Sequence, residues 1–355
     1  MMNSQTNNNG IMSSAAPTRF MSIDMLKCIA AFLVVVIHFT DNSMPTDLAG
    51  WVSHFSIAES RIAVPLFFMI TGFFYGNMKR RGRLKSQLKK LTIMALGSTI
   101  LYILYNLALS YFSGSFNVHE AGIFGWQTLA YLLIFNLTPG AGHLWFFYSM
   151  IYALVIIAYF DKINQQRLLQ KLSVAFFLIL LASNFTSYSI FTRNYLFFGI
   201  PFILLGRSFS EGKLKELLPR LSVSMCVFPM LLCMLLICFE IVMYQSLLPE
   251  ELPQRECFIF SAPEAICIFA LTLKFKTNEN NLIQRRMALI GCKYSAYIYI
   301  FQYMAGAMKG YPYIVMFPTS WLKLLVGNPV VFTLSLIISI VYLKFKSIVL
   351  KKSVA

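Results

Sequence analysis

The sequence predicts an all-α polytopic membrane bundle of about ten transmembrane helices plus one re-entrant or surface helix, with both termini cytoplasmic. Three observations carry that class. Of the 355 residues, 58% are hydrophobic and only 12% charged, whereas soluble domains are about a quarter charged. The mean hydropathy is +0.66, and the apolar residues fall in eleven runs, most of them close to the roughly 20 residues that a crossing helix needs. Between the runs, basic clusters recur at every second connection, which is how the inner leaflet side is marked.

The runs fall near residues 22–40, 59–76, 91–112, 124–137, 144–160, 172–190, 195–209, 221–246, 257–273, 288–307 and 329–347. The hairpin after the first carries Asp41, Asp47 and Glu59 against the edge residue Arg61, which fits the outer face. The second leads into Lys79, Arg80, Arg81, Arg83, Lys85, Lys89 and Lys90 with no acid between Asn77 and Lys90; this loop is cytoplasmic, and so is the N-terminus. The third run returns to an outer loop with Glu120. Lys162, Arg167 and Lys171 must then lie inside, so one of the two intervening runs does not cross. The shorter, 124–137, broken by Asn136, Pro139, Gly140 and Gly142, is the one expected to stay re-entrant or at the surface, because irregular backbone at depth survives only against protein or water. The remaining runs alternate in the same way. Arg207, Lys213, Lys215 and Arg220 fall inside; Glu250, Glu251 and Glu256 outside; Lys274, Lys276, Arg285 and Arg286 inside; Lys344, Lys346, Lys351 and Lys352 inside. Arg193, Arg255, Lys309 and Lys323 run against the rule in outer loops.

A single membrane domain over 19–350 follows, preceded by an Asn/Ser-rich stretch, 1–18, that reads as a disordered cytoplasmic tail and lacks the order of a cleaved signal peptide. The net charge of +16 sits in short interhelical clusters and marks a membrane surface, not a nucleic-acid partner. The seven cysteines contain no CxxC pair, so neither a disulfide framework nor a thiolate metal site is signalled. The four histidines (His38, His54, His119 and His143) match no ligand spacing, and no metal is expected.

Within the first run, IDMLKCIAAFLVVVIHFT, Lys27 and His38 stand eleven positions apart. Eleven residues are nearly whole helical turns, so both share one face about 16 Å apart, and Asp24 lies about 40° off the same stripe. Ionisable groups at membrane depth are costly and usually functional. Lys27 can also simply pair with Asp24 at the helix entrance.

Several segments together resemble the acyltransferase 3 family of integral membrane O-acyltransferases. RFMSIDMLKCIAAFLVVVIH resembles the family's first span, with Lys27 where many members have Arg, and RIAVPLFFMITGFFY its second, with Thr71 where Ser is common. GHLWFFYSMIYAL and RNYLFFGIPFILLGR resemble later blocks. YSAYIYIFQY departs from many members in carrying Gln302 where they have His, and Arg80 with Arg83 supplies an Arg-x-x-Arg pair somewhat ahead of the family's position.

The resemblance implies an acyl-CoA donor, acetyl-CoA foremost, with no permanently bound cofactor, and an acceptor hydroxyl on a cell-envelope glycan or lipid-linked sugar outside the inner membrane. It implies that the pantetheine arm threads inward along the stripe of Asp24 and Lys27, with Ala30 and Ala31 leaving room, toward His38. Arg80 and Arg83 suit the CoA phosphates, although sidedness alone also explains that cluster. A neutral imidazole can take the proton of an attacking hydroxyl, or form an acyl-histidine. Arg61, with Pro65 four residues on freeing its carbonyl, suits a tetrahedral oxyanion or the acceptor, or simply snorkels. His143 and Trp145 suit a sugar ring, Arg193 and Asn194 join them as acceptor contacts, and Glu240 and Glu264 are possible partners for Arg61, Arg193 or a histidine. A saccharide or small polar solute transporter would line its path with the same stripe and make no bond.

Overall fold

The computed structural model describes residues 20–40, 45, 47–112, 126–136, 138, 141–183, 191–247, 256–306 and 316–352. The expected tail and Asp41, His119, Glu120, Pro139, Gly140, Glu250, Glu251, Arg255 and Lys309 lie outside the described residues. Every regular element among the described residues is helical.

Helix α1 (Met21–Phe39) is followed by α2 (Leu48–Ser60), which Asp47 caps by accepting from Gly50 N at 2.8 Å. The chain turns at Arg61 and Ile62 into α3 (Ala63–Arg80). Pro65 therefore stands in the first turn of α3, where its missing N–H breaks no interior bond, and the break ahead of it frees the Arg61 side chain to turn inward. Next come α4 (Leu84–Phe112) and the ten-residue α5 (Trp126–Phe135). At 1.5 Å per residue α5 is about 15 Å long, half a hydrocarbon core, and it ends at Asn136 in the left-handed region, φ 49°.

A single tight turn over Gly142–Leu144 opens α6 (Trp145–Lys162), followed by α7 (Gln166–Ser183). A π-helical turn over Tyr195–Gly199 leads into α8 (Ile200–Glu211) and the short α9 (Lys213–Leu217). The chain continues through α10 (Ser224–Leu247), α11 (Ser261–Lys274), α12 (Leu282–Lys293) and α13 (Ser295–Ala305) to α14 (Asn328–Lys352). Among the described residues, seven helical stretches are long and apolar enough to cross a membrane, α2 and α3 counting as one and α14 with the turns leading into it as another. Three of the ten crossings expected from sequence are helical but shorter or interrupted: the π-turn with α8, the 14-residue α11, and α12 with α13, which break at Tyr294.

Close backbone approach sets the packing around α1 and α3. A Cβ at Gly72 would overlap the Ile203 carbonyl, and one at Gly206 the Met69 backbone, so α3 and α8 cross where side chains are missing. Gly291 of α12 rides on the Asp24 carbonyl of α1 in the same way. At one end of the bundle the last turns of α3, α6 and α8 are tied together by ion pairs: Lys79 Nζ to Asp161 at 2.8 Å, Arg207 to Asp161 at 2.9 Å and to Glu211 at 3.1 Å, and Arg80 to Glu211. The other end gathers the last turn of α1, the turn before α3, the start of α6, the segment before α8 and the end of α13.

Candidate active site

That second end holds a partly open cavity of about 590 Å³. His38, in the last turn of α1, lines it half-buried, and its Nδ1 lies 2.9 Å from the Tyr303 hydroxyl at the end of α13. The Tyr303 ring stacks on His143, with centroids 4.2 Å apart and planes at 23°, and Tyr102 meets His143 edge-on at 4.7 Å. Tyr299 donates its hydroxyl to the His143 carbonyl, and Tyr102 donates to the Ile300 carbonyl at 2.6 Å. The first bond pins the turn before α6 onto α13, and the second ties α4 to α13. Trp145 completes this wall.

Across the cavity stands Glu256, in the short segment before α11. Its Oε2 accepts from Arg61 Nη1 at 2.8 Å, and its Oε1 accepts from Arg193 Nε at 2.9 Å and Nη2 at 2.7 Å. Arg61 and Glu256 are both only 6% exposed. Burial alone would raise the Glu256 carboxyl, but the two guanidiniums outweigh it and bring the group from 4.5 down to about 2. The same contact raises Arg193 above its ordinary value, against the opposing pull of burial. Two arginines thus share one carboxylate beside a cavity lined with imidazole and phenol groups. Such an arrangement can accept a proton and stabilise a developing anion within one cavity.

The acyltransferase domain model of the acyltransferase 3 family matches residues 20–343. The chain belongs to the acyltransferase 3 family. No curated protein and no solved structure matches it. Membership makes this a membrane acyltransferase.

Of the site residues expected from sequence, the acyltransferase fold brings five together: His38, Arg61, His143, Trp145 and Arg193 all line the one cavity. Asn194 does not line it. Its Oδ1 accepts from Leu196 N at 2.8 Å and its Nδ2 reaches the Ile134 carbonyl at 3.4 Å, so it shapes the turn that presents Arg193. Asn136 supports the same turn by donating to the Arg193 carbonyl.

Lys27, Asp24, Arg80 and Arg83 all lie toward the opposite, basic end. Lys27 pairs with Asp24 at 2.9 Å, Arg80 with Glu211, and Arg83 is exposed. Between the two ends Ala30 and Ala31 are 0% and 2% exposed, Ala30 in a cluster with Ala63 and Tyr299. The room that small side chains were expected to leave is packed. Glu240 and Glu264 are not the partners of Arg61 and Arg193: Glu240 accepts from Ile259 N at 3.0 Å, and Glu264 lies against Glu59. Glu256 takes that place, because the two cations come from different loops and its segment is the one that runs between them.

Sequence reasoning treated Glu256 only as one of three loop acids, although its position directly before the apolar run CFIF was a signal. The tyrosines of α13 were also missed. Tyr299 and Tyr303 are four apart in YSAYIYIFQY, and a shared polar face of that kind was the available clue. Among the described residues no group of side chains could hold a metal ion.

Proposed function

We propose that the protein moves an acyl group, acetyl foremost, from cytoplasmic acyl-CoA to a hydroxyl of an extracytoplasmic envelope glycan or lipid-linked sugar in the bacterial inner membrane. The observation that carries this reading is the His38 imidazole in a polar cavity at the end of the bundle opposite the basic residues. The reaction needs one proton acceptor and one cation at the same carbonyl, and His38 and Arg61 line the same cavity.

Nδ1 of the imidazole lies 2.9 Å from the Tyr303 hydroxyl. In the tautomer in which Nδ1–H donates to the Tyr303 oxygen, Nε2 is the basic nitrogen. Nε2 takes the hydroxyl proton as the sugar oxygen bonds to the thioester carbon. Arg61, held by Glu256, faces the resulting oxyanion. Collapse of the tetrahedral adduct breaks the carbon–sulfur bond, and the imidazolium returns its proton to the departing CoA sulfur. Trp145 and His143 offer the sugar an apolar face and a hydrogen-bonding edge. The donor's phosphates fit the basic end, where Arg83 is exposed, and its arm runs along α1. Because Ala30 and Ala31 are packed, passage of that arm has to part α1 from α3 or α13.

Mass spectrometry of envelope glycans from cells carrying the wild type or His38→Ala tests the reading. The wild type should add one acyl mass per modified sugar. The variant should lose it by a factor of about 10²–10⁴, the span that a positioned acid–base contributes, while folding normally. An unchanged glycan profile in His38→Ala cells, or solute flux that persists without any thioester, would turn the assignment toward a carrier.

A further inference from the structure

A second concavity, of about 700 Å³, opens sideways between α7, α8 and α11. Its α7 wall is one helical face, on which Gln166, Gln170, Ser173, Val174 and Phe177 follow at helical spacing. The chemistry along it passes from amides at the basic end, through a hydroxyl, to an aliphatic and an aromatic side chain. The α8 wall shows the same gradient with the chain running the other way. Phe202, Leu204 and Leu205 come first, then Arg207 and Ser208, and Lys213 stands just beyond the helix end. Two antiparallel helices therefore grade from polar to apolar in one spatial direction, and Ile266 of α11 adds apolar surface.

Polar helix ends are required of any membrane bundle, but a concave channel between them is not. Val174 is 60% exposed, so the channel faces lipid. The charged side chains that line its polar end are Arg207, Glu211 and Lys213; Arg207 pairs with Glu211 at 3.1 Å, which leaves one cation in surplus. That cation is the exposed Lys213.

We propose that this groove is a binding site for an anionic phospholipid of the leaflet at the basic end. One acyl chain lies along Val174, Phe177, Leu204 and Ile266. The phosphate sits by Lys213, with the Gln166 and Gln170 amides as donors. The surplus positive charge selects the headgroup, because a zwitterionic lipid brings its own cation to the same place. The site is separate from the transfer cavity and holds whatever that cavity turns out to acylate.

Native mass spectrometry of the full-length protein tests the proposal, in micelles doped with phosphatidylglycerol or with phosphatidylcholine of identical chains. The wild type should retain the anionic lipid about fivefold over the zwitterionic one, the order expected from a single cation near a bilayer surface. Lys213→Gln, at an exposed position, should bring the two toward parity. Val174→Trp, which puts an indole into the groove from its lipid-facing wall, should lower retention of both lipids. Circular dichroism of each variant should match the wild type. Equal retention of the two lipids by the wild type, or undiminished retention by folded Val174→Trp, overturns the proposal.

Discussion

Tyr303 links the two histidines of the cavity, bonded to one at 2.9 Å and stacked on the other. Tyr303→Phe keeps the stack and removes the bond, so His38 loses its Nδ1 contact with the hydroxyl. Transfer should fall about tenfold, the scale of one net hydrogen bond, with the loss in kcat and KM for acyl-CoA unchanged; a variant at wild-type kcat would remove Tyr303 from the mechanism. Glu256 acts on stability. Its depressed pKa means that its stabilising contribution is complete above 4.5 and is lost as pH falls toward about 2. Glu256→Gln should therefore lower stability at pH 7 by about 3 kcal/mol, the cost of leaving a buried partner unpaired. The gap between wild type and variant, followed by thermal melting, should close on acidification below 4.5. A gap that is constant with pH would contradict the ion-pair assignment. At this scale the sequence was legible wherever a polar residue interrupted an apolar run: His38, Arg61, His143, Trp145 and Arg193 could each be picked out singly. Pairings were not legible. Which carboxylate meets Arg61 depends on a contact across 195 positions of chain, and the one local mark of Glu256, its place directly before the run CFIF, does not say which cation it meets.

The helices bury little through long side chains at their closest crossing, because α3 and α8 meet through Gly72 and Gly206. At both positions the atoms that an added Cβ would strike are backbone, which cannot rotate aside. Gly206→Ala should thus force the helices apart and cost about 1–3 kcal/mol or more, as overpacking does. The matched control is Gly97→Ala on α4, where no atom lies within 4 Å of the added carbon. There the same substitution should be neutral or gain about 0.5–1 kcal/mol from helix propensity. Melting temperatures of the two variants in one detergent decide the matter, and equal values would mean that the crossing is not set by the missing side chains. Run positions were readable from hydropathy because each apolar run became a helix. Breaks were less so. The turn at Arg61, the π-turn before α8 and the step at Tyr294 interrupt segments that are continuous in hydropathy, since hydropathy senses burial in lipid and not the backbone path. The break at Arg61 matters most, because an arginine inside a continuous helix would not reach Glu256 from the end of α2.

At the scale of the whole molecule, charge and chemistry are separated along the bundle axis. Lys79, Arg80, Asp161, Arg207 and Glu211 knit one end, and the cavity with His38 and Glu256 occupies the other. This polarity was the most legible property of the sequence, since the alternation of basic and acidic loops encodes it redundantly in many connections. Under the proposed function it has a consequence: donor phosphates and acceptor sugar would meet the protein on opposite faces, so that the acyl group, not the whole donor, would cross. If the basic end is cytoplasmic, two engineered cysteines should report it in intact cells. Leu109→Cys lines the cavity, and Arg83→Cys is exposed at the basic end. Each is placed in a Cys292→Ser background, because Cys292 is the one native cysteine among the described residues that is classed as exposed. A membrane-impermeant maleimide should label Leu109→Cys in intact cells and Arg83→Cys only after the membrane is opened. Labelling in the reverse order would invert the protein and put His38 on the donor's side, where no acyl group would need to cross; labelling of both from outside would mean that the two ends do not lie on opposite faces at all.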